Sequence, residues 1–449
     1  MSYSVLPLRL VSGPRTPSRT VIGTLRQRSR WPVIDDQQTW AGAGELPEVR
    51  NGGEVQMHSV GIDIGKHQHV AAICRQGQRT ADKPVLRFSA DRAGLAELER
   101  WLARQGPIDR VVMESSGHYW MALAAALHRQ SVPVAIVNPV SAKNFGTRRL
   151  QRVKSDPADA RTLAALGMAD QPRTREPLAG AALREAARFA MHLVEEQSRV
   201  DNKIVRLIEL GFPELEQAYE DPTCISALAV LRLAPTAQAV ARKHVATLAD
   251  ANRGPGHRAV GTKKAERIAA LAKDTIAPPE LAPQIGFEMA LLIAQHDLLE
   301  QQIAAAEAQV AGLLDGELAR RLRTIPGVGP AICATLIAEI GDIFRFNDFD
   351  KLVAYVGVHP AERSSGQKGG PETSWHMAKT GNAYLRAALY RMSVVGLQHN
   401  PTIKAHYARK RAQGKSKMNA LGHCMKKSLA IVWGIWRGDH DFQPEPPIA

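Results

Sequence analysis

The chain has 449 residues, a formal net charge of +14 and a hydrophobic fraction of 45%. That length suits two or three domains, and the apolar fraction excludes an intrinsically disordered chain. The cationic surplus favours a polyanionic partner, because each Lys or Arg that meets a phosphate releases condensed counterions. The four cysteines, Cys74, Cys224, Cys333 and Cys424, stand far apart without a CxxC pair. This argues against a structural zinc site or a disulfide framework and fits a reducing cytoplasm. No apolar run reaches the roughly 18 residues that cross a bilayer, so no membrane partner is expected.

Residues 1–56 carry scattered Pro and Gly and no compact apolar segment. They read as a disordered extension, or as the product of a start codon placed too far upstream, since Met57 directly precedes the first strand pattern. From His58 the pattern changes. "SVGIDIGKHQHVAAICRQGQ" predicts a strand, a Gly turn and a second strand, and "PVLRFS" a third. "DRAGLAELERWLARQG" predicts a helix with an Asp at its start and a Gly after its end. "DRVVMES" predicts a buried strand ending in an acid, "GHYWMALAAALHRQ" a helix and "VPVAIVN" a further strand. Three strands, helix, strand, helix, strand is an α/β order with a mixed sheet. "SDPADARTLAALGMA" opens another helix with a Ser cap and an early Pro.

The next region is expected to be helical. Leu193, Gln197, Val200, Ile204 and Leu207 step by alternating fours and threes, as do Met289, Leu292, His296, Leu299, Ile303, Ala306, Val310 and Leu313. Such heptads suit a two-helix coiled-coil arm or a dimer seam, and equally core packing within one bundle. Residues 221–281, with "RGPGHRAVGTKK", read as a loop-rich basic insert. "RTIPGVGPAICATLIAEIGD" holds a Gly turn between helices that resembles a helix-hairpin-helix element, in which the amides around Gly327 and Gly329 would hold a phosphate without reading sequence. "RSSGQKGG" is a Gly-rich loop, and "KTGNAYLRAALYRMSVVGLQ" a helix with a basic start. Lys404, Arg409, Lys410, Arg411, Lys415, Lys417, Lys426 and Lys427 form a basic tract with Asp439 as the one acid between residues 401 and 440.

Acids in strands carry the chemical expectation. Asp63 is flanked by Ile62 and Ile64, and Glu114 ends an apolar strand; an acid there is costly unless compensated. Asp156 and Asp159 are three apart on a predicted helix and project from one face. Four such carboxylates gathered together would repel without a cation. With two Mg²⁺ ions they form a clamp for in-line displacement at phosphorus. Taken singly, "GIDIG" also opens sugar-kinase and actin-like folds, the strand-tip Glu suits an ion pair, and Asp156 suits the helix macrodipole.

"GIDIGKHQHV", "VVMESSGHYW", "VNPVSAKNF" and "KSDPADARTLA" resemble the N-terminal domain of the DEDD transposases of bacterial insertion sequences, a domain similar to the RuvC Holliday-junction resolvase and of ribonuclease-H-like fold. "TIPGVGPAICATLIAEIGDIFRFNDFDKLVAYVGVHPAERSSG" and "KTGNAYLRAAL" look like the same family's C-terminal transposase domain. The resemblance runs from about residue 58 to residue 437. It implies a RuvC-like domain over 58–180, a helical and coiled-coil region with the basic insert over 181–320, and a mostly α transposase domain over 321–440. The DEDD acids fall on Asp63, Glu114, Asp156 and Asp159, with Mg²⁺ as cofactor and Mn²⁺ as a substitute. The family's catalytic serine falls in the Ser-Gly loop on Ser365, with Ser364 as its rival. Here "TSWHMAK" replaces a "G-x-I-x-K" approach, which leaves the details of that loop open.

The resemblance further implies a serine attack on DNA through a covalent phosphoserine, donor and target DNA as partners, and a structured guide RNA that bridges them. It implies a homo-oligomer, dimer or tetramer, in which the serine of one chain works beside the carboxylates of another. Lys379 and Arg386 are expected to contact phosphate or steady the serine loop. Arg148, Arg149, Arg152 and Lys154 are expected to guide the strand. The alternatives are a resolvase that uses water as nucleophile, and a non-catalytic nucleic-acid-binding derivative. A bacterial cytoplasmic location follows from the same resemblance.

Overall fold

The computed structural model describes residues 58–75, 84–148, 155–254, 258–363, 374–378 and 380–444. The expected extension, residues 1–56, lies outside them. The chain divides into two compact units, with the boundary between Ala179 and Gly180.

The first unit follows the expected order of elements: β1 (His58–Ile64), β2 (Gln68–Arg75), β3 (Val85–Ser89), α1 (Arg92–Ala103), β4 (Arg110–Glu114), α2 (Trp120–Arg129) and β5 (Val134–Val137), then α3 (Pro139–Arg148) and α4 (Asp156–Ala169). The sheet order is β3-β2-β1-β4-β5. β1 pairs antiparallel with β2 and parallel with β4, and β4 continues parallel to β5. β1 and β2 are buried along most of their length, as expected of strands covered on both faces. On one face Val60, Ile62, Ile73, Val111 and Met113 pack with Leu98 and Leu102 of α1 and Leu123 and Leu127 of α2. On the other, Val112 and Val137 pack with Phe145 of α3 and Leu163 and Leu166 of α4. Asp91 caps α1 by accepting from the Gly94 amide at 2.8 Å. Ser155 occupies the N-cap position of α4, but its hydroxyl makes no capping hydrogen bond there.

One close approach fixes α4 on the sheet. A Cβ at Gly61 of β1 would fall on the backbone of Ala160 and Ala164, and one at Gly167 of α4 would fall on the Ser59 hydroxyl. Glycine at these two positions lets helix and strand backbones touch. The pairs Gly61–Ala160 and Ser59–Gly167 also set direction: α4 runs back along β1, so its first turn lies toward the C-terminal end of that strand.

In the second unit two long helices, α5 (Ala181–Gly211) and α10 (Ala282–Leu313), of 31 and 32 residues, lie side by side. Gly211 meets Ile285, and Gln197 Nε2 lies 3.4 Å from His296 Nε2, so the pair is antiparallel. Val200, Ile204 and Leu207 face Met289, Ile293, His296, Leu299, Ile303, Ala306 and Val310 at heptad spacing. Two expected seam positions differ. Ile293 takes the buried place expected of Leu292, and Leu313 is exposed, because the helix ends there.

The stretch between them is helical rather than loop-rich. It forms α6 (Ile225–Leu233), α7 (Ala237–Ala241), α8 (Val245–Asp250) and α9 (Thr262–Lys273), which bury Leu228, Leu231, Val240, Leu248 and Ile268. Helices of five or six residues are too short to display a 3.6-residue period in sequence. Beyond α10 come α11 (Glu317–Leu322), α12 (Pro330–Ile340), α13 (Phe349–Val356), the hairpin β6 (Pro360–Arg363) and β7 (Ser374–Met377), α14 (Ala383–His399), α15 (Pro401–Ala412) and α16 (Lys417–Gly438). α11–α14 and α16 share a separate core that includes Leu322, Leu336, Leu352, Leu389 and Leu429, and Ile403 of α15 packs with Leu421 and Cys424 of α16. The expected division into an α/β part and a mostly helical remainder is met, with one small hairpin added to the helices.

The Gly61 approach is testable. Gly61→Ala should lower the unfolding free energy of the first unit by about 3 kcal/mol, since neither backbone can yield cheaply. Gly286→Ala in α10, where a Cβ meets only Pro235 Cγ at 3.5 Å, should be neutral or stabilising. Urea unfolding of both variants checks the contrast; equal stability of Gly61→Ala and the parent chain would refute the close-packing account.

Candidate active site

Asp63 sits one residue from the end of β1 and Glu114 at the end of β4. The parallel register runs to Ile62–Met113, so Asp63 and Glu114 are the next residues on neighbouring strands, about 5 Å apart in backbone. Side chains alternate along a strand. Ile62 and Met113 face α1 and α2, so Asp63 and Glu114 face the side covered by α4. The first turn of α4 carries Asp156 and Asp159 toward the same end of β1.

The electrostatics agree with this convergence. Burial pushes the Asp63 carboxyl up to about 6, and the negative charges of Asp159, Asp156 and Glu114 push in the same direction. Asp63 is therefore within Coulombic reach of the other three expected acids. Asp156 also makes a loose, exposed ion pair with Arg87 at 3.9 Å. The donor set is oxygen only, which fits a hard divalent cation with retained waters better than zinc.

Among the described residues, the side chains whose ligand atoms lie within 4.8 Å of one another in a group of three are His296, Asp297 and Glu300. Two of these already have protein partners. His296 is buried against Gln197, and Asp297 is bound by Arg232. This group belongs to the packing of α10. Asp63, Glu114, Asp156 and Asp159 are not part of this group.

The second unit supplies a different element. Ser364 and Ser365 follow directly on β6 and lie outside the described residues, as do Lys379, Arg149, Arg152 and Lys154. What is described is the frame around the serine segment. β6 and β7 pair antiparallel from Pro360–Met377 to Arg363–Ser374, so residues 364–373 connect the two strands of a hairpin. The following chain is held tightly: a Cβ at Gly381 would fall on the Tyr355 carbonyl and on the Gly357 amide at 2.6 Å. Asn382 caps α14 by accepting from the Leu385 amide, and donates through Nδ2 to Glu339 at 2.7 Å.

Glu339 is buried in α12 and takes two hydrogen bonds from Arg188 of α5, at 2.6 and 3.0 Å. Arg188 in turn stacks on the Tyr384 ring, 4.5 Å from its centroid. Little in the sequence points to this Glu339–Arg188–Asn382 network. Its one signal is an acid inside the apolar run "ATLIAEI". Arg386 donates from Nη1 to the Val356 carbonyl at 3.0 Å, a contact that steadies the segment before the hairpin.

The expected phosphate-binding turn lies between α11 and α12. Ile325 and Val328 are buried, Gly327 has φ +94°, and Gly329 stands at the N-cap of α12 with open space where a Cβ would be. Arg148 is exposed at the end of α3 and pairs loosely with Asp170 at 3.7 Å. On α15 and α16 the basic tract is dense. His406 is pushed down to about 4 by burial and by Arg409, Lys410, Lys427 and His423.

The Asp63 environment predicts a pH-dependent penalty. Its folded carboxyl titrates near 6, above its ordinary value of 3.8, so the folded chain favours the protonated form. Without a divalent cation, stability is therefore lost as pH rises from about 4 through about 6. In chelator, Asp63→Asn should be more stable than the parent chain by about 1–2 kcal/mol above pH 6, and the two should converge near pH 4. Mn²⁺ should stabilise the parent and not the variant. Thermal melts across this range decide the matter: a variant less stable than the parent at high pH would contradict the proposed crowding.

Residues 60–213 match a family model described as a transposase, of the DEDD type found with IS110, and residues 319–408 match one described as Transposase IS116/IS110/IS902 family. Similar proteins include the mini-circle putative transposase for IS117 of Streptomyces coelicolor, 29% identical over 82% of this chain and 91% of that protein. The insertion element IS116 uncharacterized 44.8 kDa protein of Streptomyces clavuligerus is 26% identical over 87% of this chain and 97% of its own length. The pilin gene-inverting protein of Moraxella lacunata is 22% identical over 85% and 97%. Both family matches fall in the expected order, one over the carboxylate-bearing unit and one over the helices that frame the serine hairpin, and the chain belongs to the IS110/IS116 family of transposases, enzymes that act on DNA.

Proposed function

We propose that the chain cuts and rejoins DNA with two sets of groups, the carboxylates Asp63, Glu114, Asp156 and Asp159 and the nucleophile Ser365. The observation that carries this reading is the geometry that brings Asp63 and Glu114, on adjacent strand ends, to the side and end of the sheet where the first turn of α4 carries Asp156 and Asp159. The sheet order with its antiparallel β1–β2–β3 ribbon and parallel β4 and β5 agrees with a ribonuclease-H-like, RuvC-type domain.

The four carboxylates would hold Mg²⁺, singly or as a pair, with Mn²⁺ able to replace it. When bound, the cation supplies positive charge to the scissile phosphate and the leaving oxygen. Asp63 and Glu114 contribute from rigid strand ends, and Asp156 and Asp159 from a helix fixed by the Gly61 contact. That rigidity keeps the acids facing one place without reorganisation.

Ser365 attacks phosphorus through Oγ. The bond from phosphorus to the leaving 3′ or 5′ oxygen breaks, and that oxygen takes up a proton as the phosphoserine forms. A hydroxyl of another strand then attacks the same phosphorus and releases Ser365, so the number of phosphodiester bonds is conserved. Asn382, Glu339 and Arg188 hold the chain beside the serine hairpin, and Arg386 steadies it through Val356. Arg148, Arg149, Arg152 and Lys154 guide the DNA strand, and Gly327 and Gly329 present the start of α12 to phosphate. Lys379 acts in the same way ahead of α14.

The basic tract of α15 and α16 supports a long folded polyanion as a further partner, and a structured RNA that pairs with donor and target DNA fits it. Such RNA is held mainly through shape and phosphate, and base pairing then selects the sites. The chain acts as a homo-oligomer in which the serine of one copy serves the carboxylates of another.

Incubation with donor and target DNA, Mg²⁺ and the element's flanking non-coding transcript should leave DNA covalently attached at Ser365. Mass spectrometry of the digested adduct locates it. Ser365→Ala should abolish the adduct, and Asp63→Asn or EDTA should reduce cleavage by at least about 10³-fold while DNA binding persists. Cleavage without any adduct would favour water as nucleophile. Site-specific recombination by RNase-treated protein would remove the RNA from the scheme.

A further inference from the structure

The helices between α5 and α10 concentrate positive charge that the proposed chemistry does not use. From Ile225 to Lys273 the sequence holds nine Lys or Arg and two acids, Asp250 and Glu266, a surplus of seven. That is half of the chain's +14 on 49 of its 449 residues. The adjoining α10 has no Lys or Arg at all. Two of the nine are ion-paired, Arg232 with Asp297 and Arg253 with Asp250.

Four of the others gather at one place. After α8 the chain loops out and returns, the Val260 amide donating to the Ala251 carbonyl and the Gly261 amide to the Ala249 carbonyl, both at 3.0 Å. Asn252 donates through Nδ2 to the Arg258 carbonyl at 3.0 Å, which fixes the returning strand of the loop. α9 follows at once with Lys263, Lys264 and Arg267, and these three line an open cleft of about 440 Å³ with Ala218 and Val260 on its walls. Arg267 is held by the Gln217 carbonyl, and Lys264 Nζ stands 3.5 Å from the centroid of the Tyr219 ring. Arg258 and Lys263 are exposed at the rim and make no ion pair or side-chain hydrogen bond among the described residues. Cations crowded round one concave surface repel one another and attract an anion.

We infer that this cleft and its rim, Arg258, Lys263, Lys264 and Arg267, hold the sugar-phosphate backbone of duplex DNA about one helical turn from the bond that the chain cuts. The segment from Ile225 to Lys273 contains no Phe, Tyr or Trp, so it offers no platform for stacking unpaired bases, and a single strand does not suit it. Lys and Arg without such a platform suit phosphates, which position a duplex and carry no sequence information. Distance selects DNA. Arg188 of α5 holds Glu339, which holds Asn382 beside the serine hairpin. Gly211, at the other end of α5, leads into the wall of the cleft at Ala218. From Arg188 to Gly211 the helix rises about 35 Å at 1.5 Å per residue. One turn of B-DNA is about 34–36 Å, so a duplex lying along this arm presents backbone at both ends of it.

The choice of DNA rests on the reading of Ser365 as nucleophile, since the distance is taken from its hairpin. Binding is therefore measured in EDTA and without transcript, where strand cleavage plays no part and its failure would be seen separately. Full-length Arg258→Glu with Lys263→Glu is compared with the parent chain on a DNA duplex and an RNA duplex of about 30 bp and arbitrary sequence, across a salt series. Both positions are exposed, so the variant should fold; circular dichroism checks this. Binding to the DNA duplex should weaken at least about 10-fold near physiological salt, and the slope of log K against log salt should fall by about 2. The loss on DNA should be at least as large as that on RNA. Arg258→Gln with Lys263→Gln, which adds no acid, should weaken DNA binding in the same direction. Unchanged affinity and slope on the DNA duplex in both variants would overturn the surface, and a loss confined to the RNA duplex would overturn DNA as its partner.

Discussion

Burial of the Asp63 carboxyl at a strand end, with Glu114, Asp156 and Asp159 within Coulombic reach, is the constraint around which the first unit is organised. Two of these acids project from adjacent strand ends, where backbone spacing is set by the hydrogen-bond ladder and cannot relax. The other two arrive on a helix whose position is set by a contact between backbones at Gly61. Neither arrangement lets the acids drift apart, and the cost is visible in the Asp63 carboxyl, held near 6 by burial and by its neighbours. A fold that keeps such a set together does so against its own electrostatics. Stability therefore comes from elsewhere, from the apolar layers on both faces of the sheet.

The second unit solves a different problem. The chain that follows β7 is anchored. Gly381 packs backbone against backbone, and Asn382 ties the start of α14 to a buried Glu339 that Arg188 neutralises. A buried carboxylate is costly alone and tolerable with a bidentate guanidinium. This network explains why an acid stands in the apolar run of α12: it joins α5, α12 and α14 at one point. Arg386, which the sequence suggests as a contact to phosphate or a steadying group for the serine loop, donates to the Val356 carbonyl.

The long pair α5 and α10 spaces these elements along the chain. Its inner seam has an antiparallel register fixed by Gly211–Ile285 and Gln197–His296. His296 interrupts an otherwise apolar line, and its partners Gln197 and Asp201 stand across from it. A polar layer of this kind restricts sliding, because any other register would leave the imidazole buried without partners. Outside this seam Phe287, Leu291 and Leu298 of α10 are exposed.

Sequence alone determined the order of elements in the first unit, because strands buried on both faces leave strong local patterns. The spacing of Asp156 and Asp159 likewise implied a shared helical face. Sequence also marked both long helices, whose heptads persist over many turns. It did not reveal α7 and α8, since helices of five or six residues show no period, and it missed α6 and α9 because the Gly and Pro around them read as loop. It could not place Leu292 against Ile293, because neighbouring apolar residues at a seam are separated only by how the partner helix packs. The convergence of Asp63 with Asp156 and Asp159, nearly a hundred residues later, depended on the tertiary contact at Gly61. The Glu339–Arg188–Asn382 network was decided there too, since pairing between residues about 150 positions apart leaves no local trace.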